Sequence, residues 1–102
     1  MASRLSLHEE LCNILGTRNV YFQPPESIKL SYPCIVYSKT DFDTRFANNR
    51  VYTSINQYQL TVIDEDPDSE IHEKILSYFQ MCRFDRAFAS DYLNHKVLTL
   101  YH

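Results

Sequence analysis

Apolar residues recur at helical spacing near the beginning of this sequence. Gly16 follows this stretch at the position where a glycine commonly ends a helix. Ser6 with Glu9 three residues later forms a capping-box pattern, which predicts a short amphipathic helix over residues 7–15. The apolar positions of this helix are Leu7, Leu11, Ile14 and Leu15.

A second helical stretch follows a run of acidic residues. Asp66 is a suitable N-cap, and Pro67 suits the first helical position, where its missing N–H would be unpaired anyway. The pattern predicts a helix that begins at these residues and ends near Gln80. Its apolar positions are Ile71, Ile75, Leu76 and Phe79.

Two segments between the helices are typical of strands. Residues 33–37 are continuously apolar, and residues 56–63 alternate apolar with polar positions. Together they predict a hairpin whose distal end, roughly residues 42–54, projects as an arm. Residues 20–22 form either a short edge strand or part of a loop that Pro24 interrupts.

The remaining residues predict a second hairpin. Residues 82–88 and 95–101 are its strands, residues 90–94 its turn, and Phe84 and Phe88 are expected on one face. The chain is therefore a single α+β domain over residues 1–102. We expect an antiparallel sheet of about four strands with two helices packed on one face, in the order α-β-β-α-β-β. Such an open sheet has edges that can pair with another chain.

Composition restricts the function classes. The 102 residues include one glycine, which argues against glycine-rich phosphate loops, and eight tyrosines, which suit contacts between proteins. A net charge of −3 argues against a protein that mainly neutralises nucleic-acid phosphates. The three cysteines fit reduced thiols. No apolar run is long enough to span a membrane, and the N-terminus lacks a secretory pattern.

Candidate chemistry is sparse. The acids of residues 64–70 could bind a metal, but a helix start explains most of them. Cys82 and His95 could meet across adjacent strands as a nucleophile and its base, although nothing local marks Cys82 as activated. His8 and His72 are expected at helix surfaces. We therefore expect no enzymatic activity, no cofactor and no metal.

The arm carries two arginines interleaved with aromatic residues. Nearby acids offset these arginines, so contact with a neighbouring subunit explains the segment better than nucleic-acid binding does. The candidate inter-subunit contact residues are Asp43, Arg45, Phe46, Arg50 and Tyr52.

Several stretches resemble small neck proteins of long-tailed bacteriophages, which are usually described as tail terminator or tail completion proteins. The likeness covers roughly residues 6–102, both in the order of the elements and in the amino-acid sequence. It rests on residues 32–37 (YPCIVY), 47–49 (ANN), 52 (Y), 58–62 (YQLTV), 64–69 (DEDPDS), 82–86 (CRFDR) and 91–95 (DYLNH).

The resemblance implies a structural role in the virion. In that family an α+β subunit forms a hexameric ring that caps the tail tube, ends tail growth and meets the head connector. Its partners would be other copies of the chain, the tail tube protein and the connector. DNA would pass through the bore without specific binding, and an acidic subunit suits such a bore. Assembly would take place in the bacterial cytoplasm, without a membrane. The alternatives are a head-completion protein and a small non-enzymatic adaptor.

Overall fold

A computed structural model describes residues 4–40 and 56–102. The chain is α+β, with two helices and a five-stranded mixed sheet in the order β1-β2-β3-β5-β4. Strands β1 and β2 are parallel, and the other neighbours are antiparallel. The elements are α1 (Arg4–Leu15), β1 (Val20–Phe22), β2 (Cys34–Lys39), β3 (Gln57–Asp64), α2 (Ile71–Tyr78), β4 (Cys82–Ser90) and β5 (Leu93–Tyr101).

The prediction of about four antiparallel strands is wrong in one respect. Val20–Phe22 adds a fifth strand, which runs parallel to β2 with Val20 opposite Ile35. Parallel neighbours need a long crossover connection, and residues 23–33 provide it. The element order is therefore α-β-β-β-α-β-β.

Both helices pack on one face of the sheet, which we call the helix face. Leu7 and Leu11 of α1 and Ile75 of α2 are completely buried there. They meet every second residue of the central strands, as expected for one face of a pleated sheet. The opposite surface is called the open face. The strand residues of the helix-face core are Val20, Ile35, Tyr37, Tyr58, Leu60, Val62, Leu98 and Leu100.

Helix α1 begins about one turn earlier than predicted. Ser6 lies inside the helix, where its hydroxyl contacts the Glu10 carboxylate at 3.4 Å, so the predicted capping box is wrong. The Arg4 guanidinium lies 4.3 Å from the centre of the Phe22 ring, which fixes the added turn against the sheet. Gly16 ends the helix as predicted. Its φ of 88° is in the left-handed region that favours glycine.

Helix α2 begins later than predicted. Its first residue is Ile71, so Asp66 is not its N-cap and Pro67 is not its first residue. The Asp64 carboxylate accepts the N–H of Asp66, and the Asp66 carboxylate accepts the N–H of Asp68, at 3.0 and 2.9 Å. These local bonds offer the backbone an alternative to the helix, which explains the delayed start.

Both predicted hairpins are present. Strands β2 and β3 pair antiparallel from Cys34↔Ile63 to Lys39↔Tyr58. The turn between β4 and β5 contains only Asp91 and Tyr92, whose φ values of 53° and 64° are typical of a type I′ turn. Neither helix in the described part of the chain has the length and hydrophobicity of a membrane-spanning segment.

Candidate interaction surface

Strand β4 forms one edge of the sheet and is the most exposed strand. Eight of its nine residues are exposed to solvent. One side of the strand pairs with β5, and no strand from residues 4–40 or 56–102 pairs with its other side. An edge strand of this length presents a row of backbone N–H and C=O groups that another chain can pair with. We call Cys82–Ser90 the β4 edge.

A β-bulge interrupts the pairing of β4 with β5. The register passes from Phe84↔Leu98 directly to Arg86↔Val97, which leaves Asp85 as the additional residue. Because side chains alternate between faces along a strand, one additional residue reverses the face of every residue that follows it.

The bulge places the two phenylalanines on opposite faces. The Phe84 ring lies 5.7 Å from the His72 ring of α2, on the helix face. The Phe88 ring stacks on His95 on the open face, with 4.6 Å between ring centres and 8° between planes. The prediction that Phe84 and Phe88 share one face is therefore wrong.

Asp85 is held by two side chains. Its carboxylate accepts a hydrogen bond from Arg83 Nε at 2.9 Å and another from the hydroxyl of Thr99 on β5. Partial burial raises the pKa of Asp85, but the bonds from Thr99 and Arg83 outweigh it, so the pKa lies below its usual value. The bulge residue is thus a charged group with a fixed position.

Aromatic and basic side chains are exposed along this edge. Phe84 and Phe88 are 43% and 45% exposed, and Tyr92 in the adjoining turn is 99% exposed. The Arg86 guanidinium lies 5.9 Å from the centre of the Phe88 ring. Aromatic residues and arginine are enriched in protein interfaces, so the β4 edge has the composition of a contact surface.

The structure does not bring Cys82 and His95 together. Cys82 is opposite Leu100 of β5, whereas His95 is opposite Phe88. Leu100 and His95 are five positions apart on β5, which corresponds to about 16 Å of extended strand. Because five is an odd number, Cys82 and His95 lie on opposite faces of the sheet. Burial, assisted by Asp85, raises the pKa of the Cys82 thiol to about 11, which disfavours the reactive thiolate. The predicted pair of nucleophile and base is therefore not formed.

His8 and His72 are half-buried rather than at the surface as expected. Nδ1 of His8 lies 2.8 Å from the Tyr37 hydroxyl, and burial followed by the charge of Arg4 lowers the pKa of His8. Burial also lowers the pKa of His72. In the part of the chain that the structure describes, no group of three or more His, Cys, Asp or Glu could bind a metal ion.

The described part of the chain has shallow grooves at the helices and on the open face. One, of about 510 Å³, is lined by α1 and α2 residues that include Ile14, Lys74 and Tyr78. Another, of about 300 Å³, lies between the 23–33 connection and the open face, next to Val36 and Ile63. Charged side chains line the first groove, and mainly apolar residues line the second.

The candidate contact residues of the arm lie outside the described residues. This applies to Asp43, Arg45, Phe46, Arg50 and Tyr52. The chain enters and leaves the segment at the end of the sheet where β5 ends. There Asn56 and His102 exchange two backbone hydrogen bonds, of 2.9 and 3.1 Å.

Comparison of the chain with protein-family models, curated proteins and solved structures gave no match.

Proposed function

We propose that this chain is a non-enzymatic structural subunit of the phage neck, of the tail terminator type. Copies of the chain assemble into a ring, expected to be hexameric, that caps the tail tube, ends its growth and joins it to the head connector. The observation that carries the proposal is the β4 edge, which is nine residues long and has an aromatic ring on each face.

The geometry of the edge supports an assembly role. A long unpaired edge is a liability in an isolated domain, because it pairs readily with other strands. The edge at the other side of the sheet is much shorter, since β1 has only three residues. A closed ring needs two complementary surfaces on each subunit. In our proposal the β4 edge is one surface, and the arm with Arg45 and Arg50 is the other.

The charge of the chain agrees with a passage for DNA. The net charge is −3, and an acidic bore would repel phosphate groups and allow DNA to slide. The proposed partners are copies of the chain, the tail tube protein and the head connector. The proposed location is the neck of the virion.

Negative-stain imaging tests the proposal. The purified full chain is imaged alone and with tail tubes assembled from the tube protein encoded in the same genome. We expect rings, or caps at one end of the tubes, together with an end to tube growth. Phe88→Ser should weaken this assembly, whereas Tyr78→Ser, which removes an exposed ring from α2, should not. Binding only to filled heads would replace the proposal with head completion, and particles that neither close into rings nor bind tubes would refute it.

One observation also favours an adaptor function. An unpaired edge strand accepts an extended peptide as an additional strand, which is a common mode of recognition between proteins. An adaptor would bind one partner with a fixed stoichiometry and without cyclic symmetry. The mass of the complex formed with a partner therefore separates the two functions.

A further inference from the structure

Over residues 82–89 of the β4 edge, the side chains are distributed between the two faces in an order that is the same in both directions along the strand. The bulge creates this symmetry, because Asp85 and Arg86 are consecutive residues on the open face. The helix-face residues are Cys82, Phe84, Ala87 and Ala89. The open-face residues are Arg83, Asp85, Arg86, Phe88 and Ser90.

We infer that the β4 edge pairs antiparallel with the β4 edge of a second copy of this chain, about a two-fold axis between Asp85 and Arg86. Residues that oppose each other in an antiparallel pair lie on the same face. With Asp85 opposite Arg86 of the second copy, all eight residues from 82 to 89 meet this condition. Every other register that pairs more than five residues of the strand violates it.

The same register places complementary side chains opposite each other. Asp85 opposes Arg86 of the second copy, and the two-fold axis repeats this pair of opposite charges. Arg83 opposes an exposed Phe88 ring, which attracts a cation. Phe84 opposes Ala87, whose small side chain leaves room for the ring. Charge and size therefore favour a second copy as the occupant of this edge.

The two-fold dimer formed through the β4 edges differs from the proposed ring. A two-fold contact uses the same surface on both copies and is complete with two subunits, whereas a ring needs head-to-tail contacts. The pair would form one continuous sheet of ten strands and occupy both β4 edges. It would have to open before the edge could enter a ring. The inference is independent of the proposed function, since it rests on β4 alone.

Charge reversal tests the register. Sedimentation of the full chain over a range of concentrations should show a dimer. Arg86→Asp places like charges opposite each other at both positions, and so does Asp85→Arg. Each variant alone should raise the dissociation constant about tenfold or more. A mixture of the two variants restores both opposite-charge pairs and should dimerise again. Lys39→Asp, on the distant β2, is the matched control and should leave the dimer unchanged.

A cross-link provides a second test that does not depend on Asp85. Ala89→Cys introduces a thiol opposite the native Cys82 of the second copy, on the same face. Mild oxidation should therefore give a covalent dimer on a non-reducing gel. Ser90→Cys, on the opposite face, should not cross-link, and neither should Ala89→Cys combined with Cys82→Ser. A wild-type chain that stays monomeric at every concentration would overturn the inference. The inference would also be overturned if the charge reversals left the dissociation constant unchanged and if cross-linking did not depend on the position of the introduced cysteine.

Discussion

At the scale of single residues, Asp85 determines the character of the exposed edge. Its carboxylate joins Arg83 on its own strand to Thr99 on the neighbouring strand. The same residue is the additional one in the bulge, so it sets which face Phe88 occupies. The bulge at Asp85 thus combines a change of register with a charged group held by two hydrogen bonds.

We predict that Asp85→Asn destabilises the chain by about 1 kcal/mol at pH 7. The folded pKa of Asp85 lies below the unfolded value, so its stabilising contribution is present above about pH 4 and is lost as the pH falls through the folded pKa. Urea unfolding of wild type and variant should therefore differ at pH 7, and the difference should shrink as the pH is lowered below the unfolded pKa of aspartate.

The control for this measurement is Asp91→Asn. Asp91 has a φ of 53°, which asparagine tolerates, and we expect a change within about 0.5 kcal/mol. If the free energies of unfolding of Asp85→Asn and wild type differ by the same amount at pH 7 and at low pH, packing rather than charge would explain the effect.

At the scale of elements, the β4–β5 turn combines backbone strain with exposure. Tyr92 has a φ of 64° and is 99% exposed, so its ring stabilises nothing within the described chain. We predict that Tyr92→Gly raises the stability of the isolated chain by about 0.5–1 kcal/mol, because glycine adopts this φ without strain. Thermal unfolding measures the gain, and Tyr92→Ala, which keeps the strain, should show none. A loss of stability in Tyr92→Gly would contradict this account of the turn.

The elements also show which parts of the fold can be predicted from sequence. Helix α1 and the two hairpins were predicted because apolar periodicity and turn residues are local signals. The parallel pairing of β1 was not, since it depends on contact with β2 across the 23–33 connection. The late start of α2 was missed because the carboxylates of Asp64 and Asp66 bond to nearby backbone N–H groups instead of capping the helix.

The candidate site was predicted only in general terms. The sequence indicated exposed sheet edges, but not which edge is long and unpaired. The bulge residue Asp85 bonds to Thr99, which is fourteen residues further along the chain, so no local pattern reveals this contact. The sequence does contain one weak signal, because Arg83, Asp85 and Arg86 break the alternation of apolar and polar residues. The arm residues predicted as contacts remain a hypothesis.

At the scale of the whole molecule, the two edges of the sheet differ in length and exposure. The β1 edge has three residues and lies against α1, where Arg4 covers Phe22. The β4 edge has nine residues, of which eight are exposed. The helices cover the helix face over the central strands, and the 23–33 connection covers part of the open face. Association by strand addition is therefore expected at β4.

Amide hydrogen exchange, followed by mass spectrometry on the full chain, tests this central claim most directly. The exchange is compared between dilute protein and protein that has associated with itself or with tail tubes. We predict that the amides of residues 82–90 that do not bond to β5 become protected on association, while those of β1 change little, because strand addition pairs the free backbone groups of β4. Unchanged exchange in β4 under conditions where the mass shows assembly would contradict the account.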